Sequence, residues 1–196
     1  MSASETPTGL DRHPGLTGPD GVDELTRLYD RHARALHGYL ARRLDPATAD
    51  DLVGETFLLA WQHRDRYDPT RAGAKAWLYG IATNLVRQHA RSEVRGLRAH
   101  ARHGGRAAQR DDTDDIDAIA VSRVDAQARV GRLAGALADL RPEDRDVLLL
   151  VAWGGLQPAE VAQALGLPPG TVRHRLHLAR TALRGHTDDH RGGHDE

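Results

Sequence analysis

The chain has 196 residues, enough for one ordinary domain or two small ones and too few for a large catalytic barrel. Its 27 basic and 28 acidic side chains leave a net charge of -1, so overall charge announces neither a nucleic-acid nor a membrane partner and any such signal must be local. With no cysteine, disulfides, thiolate zinc sites, iron–sulfur clusters and cysteine nucleophiles are excluded together, which fits a reducing cytoplasm.

Residues 1–21 carry Pro7, Pro14, Pro19 and four glycines with almost no large apolar side chains, the composition of a disordered tail. They lack the basic start and apolar run of a secretion signal, and no stretch of the chain approaches the roughly 18 apolar residues of a membrane span. Leu25, Leu28, Tyr29, His32, Leu36, Tyr39, Leu40 and Leu44 then recur at three- and four-residue steps and predict one stripe of a long helix. Asp45-Pro46 stops it and starts a second, with Asp45 as N-cap and Pro46 in the first turn, where its missing N–H costs nothing. Ala49, Leu52, Val53, Phe57, Ala60 and Trp61 are its inward residues. After a turn-like segment, 64–74, the helical period resumes at Trp77, Leu78, Ile81, Ala82, Leu85 and Val86.

Charge then changes abruptly along the chain. Between Arg87 and Arg110 seven arginines stand against Glu93 alone, and between Asp111 and Asp117 five aspartates stand against no base. Such adjacent blocks, with Gly104-Gly105 among them, predict an extended, flexible linker, placed at residues 101–125 between a first domain at 22–100 and a second at 126–187. The second domain opens on the stripe Val130, Leu133, Leu137 and Leu140. Pro142 starts a helix holding Val147, Leu148 and Val151, and Pro158 one holding Val161, Ala162 and Leu165; a last helix follows Pro168-Pro169-Gly170 with Val172, Leu176, Ala179 and Leu183 inward. Residues 188–196 form a polar tail. No run of alternating residues predicts a strand, so the fold class is all-α: two small helical domains joined by a flexible charged linker, the second ending in a helix-turn-helix.

The last helix carries the most information. Gly166-Leu167 permits the tight turn before it, and Arg173, His177, Arg180 and Arg184 recur along it at steps of four, three and four, with His174 and Arg175 beside them and no acid from Leu167 to Thr187. Such a helix offers a cationic face to phosphates and base edges, and its N-terminus adds backbone donors. An arginine-rich solvated face is the plainer reading of the same residues.

The stretch ALADLRPEDRDVLLLVAWGGLQPAEVAQALGLPPGTVRHRLHLARTALR, Ala136 to Arg184, resembles the carboxy-terminal DNA-binding domain of bacterial RNA polymerase sigma factors of the extracytoplasmic-function group, most specifically at GTVRHRLHLAR. DDLVGETFLLAW, Asp50 to Trp61, and KAWLYGIATNLVRQHAR, Lys75 to Arg91, resemble that group's amino-terminal domain. The resemblance implies a promoter-specificity subunit that binds core RNA polymerase, directs it to specific promoters and promotes melting. It implies core RNA polymerase and promoter DNA as partners, an anti-sigma factor as a further one, no membrane, and a cytoplasmic location. By the same resemblance Asp50, Asp51, Glu55 and Trp61 contact polymerase, while Leu52 and Phe57 are better read as core. Trp77, Tyr79, Asn84, Arg87, Arg91 and Arg95, with the 67–74 loop, handle the melted downstream element, Trp77 serving equally well as core. Thr171, Arg173, His174, Arg175, His177 and Arg180 read the upstream element. The chain departs from the group's pattern at Gly54, Leu59, Ala74, Gly80 and Leu178.

Two other classes stay in view: a free-standing helix-turn-helix regulator whose first domain senses a ligand or dimerises, and a metal-dependent helical hydrolase using His186, His190 and His194 with Asp188 and Asp189. The tail that carries those histidines lacks the rigid frame a metal site needs. No HExxH, GxxxxGK[ST] or GxSxG is present. The expectation is therefore no enzyme, no catalytic residue, no cofactor and no metal.

Overall fold

The computed structural model describes residues 16–108 and 130–188. Every regular element among them is helical: α1 (Gly21–Ala41), α2 (Pro46–Gln62), a single 3-10 turn (Arg64–Arg66), α3 (Ala74–Gln88), α4 (Ala90–Ala108), α5 (residues 130–139), α6 (Pro142–Ala152), α7 (Pro158–Leu165) and α8 (Pro169–Asp188). The all-α expectation holds. The first fifteen residues, residues 109–129, which hold the acidic run and most of the expected linker, and residues 189–196 lie outside the described residues.

Helices α1, α2 and α3 pack on one another. Leu28, Leu36, Tyr39 and Leu40 of α1 meet Ala49, Leu52, Val53, Phe57 and Ala60 of α2 and Leu78, Ala82, Leu85 and Val86 of α3 in a buried core. Each fully buried leucine or phenylalanine contributes about 1.5 to 3 kcal/mol relative to exposure. Asp45 caps α2 as expected, its Oδ1 accepting the Thr48 N–H at 2.9 Å, with Pro46 in the first turn. In the second unit α6, α7 and α8 contact one another pairwise around Val147, Leu149, Leu150, Val161, Val172, Leu176 and Ala179. Gly166 closes α7 at φ 63°, a left-handed conformation that glycine adopts without strain, and so makes the turn into α8.

Several expectations need correction. The tail ends earlier than residue 21: Leu16 is buried, and a turn in which the Gly21 N–H donates to the Gly18 carbonyl at 3.0 Å leads into α1. The basic segment after Arg87 is not extended. Glu93 and Leu97 are buried and Val94 packs beside the core, so one face of α4 is anchored while Arg91, Arg95, Arg98 and Arg102 point to solvent, and the helix continues to Ala108. The assumption that charge blocks preclude a helix ignored this anchored stripe. Tyr29 is half exposed and lies against Phe57 with ring centroids 4.9 Å apart, and Trp61 is only partly buried. Val130 and Leu133 are exposed, leaving Leu137 of α5 and Leu140, just past its end, as the buried part of that stripe.

The two units form one continuous apolar cluster, joined where α3 packs on α7. Gly80 makes this approach possible: a Cβ built on it would run into the Ala164 carbonyl oxygen. This departure from the group's pattern thus coincides with a close helix crossing.

Candidate nucleic-acid interface

Helix α8 divides its residues as its sequence period requires. Val172, Leu176 and Ala179 are buried, Thr171, Arg175 and Leu178 half-buried, and Arg173, His174, His177 and Arg180 exposed. Three- and four-residue steps put Arg173, His177 and Arg180 on one outward stripe. No carboxylate among the described residues pairs with any of the three. Pro169 at the helix start leaves Gly170 and the first turn open, the position where backbone donors meet an anion. All six residues expected to read the upstream element are therefore on one helix, four of them exposed.

The second cationic surface runs from the end of α3 along α4. Asn84, Arg87, Arg91 and Arg95 are exposed, and Asn84 Oδ1 accepts a 3.2 Å hydrogen bond from Arg87 Nη1. Arg95, Arg98, Ala101 and Arg102 of α4 and Gly135 and Asp139 of α5 line a groove of about 520 Å³, three bases against one acid. Trp77 and Tyr79 behave differently from Asn84. Trp77 is half-buried and stacks on Tyr67 with centroids 4.6 Å apart, and both line a second groove, also about 520 Å³, with Arg66, Arg71, Gln163 and Gly166. Burial pushes the Tyr67 hydroxyl up to about 12, and it has no hydrogen-bond partner among the described residues. Tyr79 is 1% exposed, packed on Tyr39 at 5.2 Å. The structure does not bring it to the surface.

On α2 the acids Asp50, Asp51 and Glu55 are exposed, and Asp50 Oδ1 sits 3.1 Å from His37 Nε2. Asp51, Glu55 and Leu58 follow one another at steps of four and three, and Leu58 is 54% exposed. Leu58 was absent from the expected contacts; a leucine at a three-residue step from two outward acids was the available signal. Trp61 lies half-buried under the Arg64 guanidinium, 4.3 Å from its ring centroid.

Sequence reasoning also missed a buried ionic cluster between the two units. Arg43 Nε donates to Glu93 Oε1 at 2.7 Å and its Nη2 to Asp146 Oδ1 at 2.6 Å, while its Nη1 reaches the Tyr39 hydroxyl. Asp146 Oδ2 accepts from Arg87 Nε at 2.8 Å. Arg145 joins at 3.5 Å from Glu93 through Nη1, an ion-pair distance without a hydrogen bond, and its Nη2 donates to the Leu140 carbonyl at 3.2 Å. Burial pulls the Arg43 ionisation down, but Tyr39, Glu93 and Asp146 outweigh it and leave it raised. The sequence marks a helix start at Pro142, which the structure keeps, and only tertiary packing shows where Asp144, Arg145 and Asp146 go.

Among the described residues no three His, Cys, Asp or Glu side chains group to hold a metal, and no helix is long and apolar enough to cross a membrane. His190 and His194 lie outside them.

Comparison with known proteins accounts for both units. Residues 28–96 match the model for sigma-70 region 2, and residues 131–183 that for sigma-70 region 4. The chain is 36% identical over 161 residues to the ECF RNA polymerase sigma factor SigL of Mycobacterium tuberculosis, covering 82% of this chain and 86% of SigL. It is 34% identical to the RNA polymerase sigma factor CarQ of Myxococcus xanthus, covering 84% and 90%. Among solved structures, CnrH in complex with the cytosolic domain of CnrY aligns with a TM-score of 0.60 at 26% identity over 89% of this chain and 93% of that one. The sigma factor RpoE of Bartonella quintana, solved with the anti-sigma factor NepR, shares the fold at a TM-score of 0.55 and 19% identity, over 85% and 98%. With a region 2 unit, a region 4 unit after it, and relatives matched over most of their length, the chain belongs to the extracytoplasmic-function sigma factors of bacterial RNA polymerase.

Proposed function

We propose that the chain acts in the cytoplasm as a dissociable specificity subunit that binds core RNA polymerase, directs it to specific promoters and promotes melting there, performing no bond chemistry itself. The ordered pair of family matches supports this reading, because a free-standing regulator has no use for a region 2 unit. An anti-sigma protein belongs to the same proposal as a further partner.

The geometry suggests how the work is divided. Asp51, Glu55 and Leu58 present a small apolar spot with acids on its N-terminal side, suited to a groove on polymerase with a basic edge, with Asp50 and Trp61 nearby. Thr171, Arg173, His174, Arg175, His177 and Arg180 meet the upstream element in the major groove, phosphate contacts fixing register and base contacts selecting sequence. Asn84, Arg87, Arg91 and Arg95 track the separated strand, where cations follow the backbone, and the Tyr67–Trp77 stack offers a surface for an unstacked base. Tyr79 supports that helix from within. Run-off transcription with core polymerase on a promoter library tests the reading. Promoter-selective transcripts dependent on this chain are expected; none with any bacterial core polymerase would overturn it.

A further inference from the structure

Residues 28–96 and 131–183 are accounted for by the two family models, yet α4 runs on past residue 96 to Ala108 and carries its arginines with it. Arg91, Arg95, Arg98 and Arg102 follow one another at steps of four, three and four, all exposed, on the side of the helix away from the buried Glu93 and Leu97. At 1.5 Å per residue the stripe is about 16 Å long. Arg43, Arg87 and Arg145 each lie beside a carboxylate. The four stripe arginines pair with none among the described residues, although Asp139 lines the same groove as Arg95, Arg98 and Arg102. The far part of α4 is nevertheless supported by packing: a Cβ built on Gly135 of α5 would lie 3.6 Å from the Ala101 Cβ.

We propose that Arg98 and Arg102 form a duplex-DNA contact outside both family regions, holding backbone phosphates of the double-stranded segment between the upstream and downstream elements without reading its sequence. The inference rests on the sigma-factor reading, which supplies the DNA. A groove for a separated strand combines cations with aromatic side chains on which its bases stack. Residues 90–108 contain no Phe, Tyr or Trp, and the Tyr67–Trp77 stack and Asn84 all precede α4 in the chain. A stripe of cations with no aromatic ring beside it suits phosphates instead, which recur roughly every 3.4 Å of rise along each strand of a duplex. A guanidinium takes two phosphate oxygens at once, and neither Arg98 nor Arg102 has a carboxylate to give up in doing so. Chain order agrees with this occupant. Arg98 and Arg102 come after the surface given to the separated strand and before the unit whose α8 is given to the upstream element, and the DNA that runs between those two elements is paired.

The test uses the full chain with core polymerase on a promoter it transcribes, comparing the parent with the double variant Arg98→Gln, Arg102→Gln; both positions are exposed, so the fold is expected to stay intact by far-ultraviolet dichroism. Binding is titrated at several salt concentrations. The variant is expected to bind several-fold more weakly and with a log–log salt slope shallower by about 2, since each phosphate contact contributes roughly 0.9. The loss is expected to be the same whatever the spacer sequence, and Arg98→Lys, Arg102→Lys to restore most of the slope, because a phosphate accepts a point charge where a base edge demands the guanidinium fork. Neutral methylphosphonates in the spacer beside the downstream element are expected to weaken the parent to the level of the Gln variant and to weaken that variant no further. Parental affinity and slope in the Gln variant, additive losses on the methylphosphonate template, or a loss that follows spacer sequence each overturn the contact while leaving the sigma-factor reading in place. An equal loss on a bubble template without spacer duplex assigns the two arginines to the separated strand and overturns it as well. A parent that binds no promoter with any core polymerase overturns the sigma-factor reading and this inference together.

Discussion

Arg43 and Asp146 meet at 2.6 Å across a separation of 103 residues, both side chains almost wholly withdrawn from solvent. Neither charge would survive there alone. Removing one partner of a buried ion pair commonly costs about 3 to 5 kcal/mol, since the other is left uncompensated. Here the units have an alternative, separating to return Glu93 and Asp146 to water. Arg43→Ala is therefore expected to lower the thermal midpoint by less than that figure implies and to expand the molecule, seen as a larger radius of gyration in solution scattering. A full loss of stability with no expansion would show that the units cannot part.

Local stability has a simpler test at Asp45. Hydrogen bonds from the Thr48 N–H and then the Thr48 hydroxyl hold its carboxyl below the usual aspartate range. A folded value below the unfolded one means stability present above about pH 4, the ordinary aspartate value, and lost as pH falls through the folded value. Asp45→Ala is expected to lower the midpoint at neutral pH, Asp45→Asn much less, and the gap between parent and Asp45→Ala to narrow in acid. Calorimetry across that range would reveal a pH-independent gap if the cap were not the cause.

For polymerase binding the exposed edge of α2 is the test. Asp51→Lys with Glu55→Lys is expected to weaken association with core polymerase while helicity stays intact, because exposed charges seldom hold a fold together. Leu58→Ser should add to the loss by removing the apolar side chain that follows them on the same stripe. Association unchanged by all three substitutions would send the contact to another face.

The helical period made most of this fold legible: the stripes through Leu28, Leu36 and Leu40, through Leu52 and Phe57, and through Val172, Leu176 and Ala179 are buried as their spacing requires. The Asp45-Pro46 boundary and the Gly166 turn were also readable, since each depends on one residue's own stereochemistry. What escaped was tertiary. Arg43, Glu93 and Asp146 look like solvated surface in one dimension, and Tyr79 looks available to a strand until Tyr39 and the turn at Gly154 cover it. Within α4, the arginines concealed the anchored stripe of Glu93 and Leu97. Gly80 was visible as an oddity, but its use depends on Ala164, 84 positions away.

Upstream recognition turns on whether Arg173 contacts a base or a phosphate. Arg173→Ala in the full chain is expected to cost about 1 to 3 kcal/mol of promoter binding if it reads a base, with an effect that depends on the sequence presented. A phosphate contact would instead weaken all duplexes alike and make binding less steep in salt. Titration of polymerase–chain complexes on matched and scrambled upstream elements at several salt concentrations separates the two. No loss on any duplex would move the reading surface off this stripe.

Melting gives the sharpest division between a sigma factor and a regulator that binds closed duplex. Asn84 is exposed beside Arg87, at the end of α3 and the start of the α4 arginines, the surface that the proposed function gives to the separated strand. Its amide offers both donor and acceptor to an unpaired base edge, and a duplex has no unpaired edge to offer in return. Asn84→Ala is expected to slow opening of duplex promoter by polymerase. Upstream binding through α8 should persist, and transcription from a pre-melted bubble should suffer less, since there the strand is already free. Trp77→Ala should give the same pattern if the Tyr67–Trp77 stack receives a base, but a general loss of stability if the ring is chiefly core. Permanganate reactivity of the promoter, followed with time beside a thermal melt of each variant, distinguishes these outcomes. Normal opening by both variants would leave Asn84 and Trp77 as bystanders and shift strand capture to the arginines of α4, where Arg91→Ala and Arg95→Ala would then have to carry the defect.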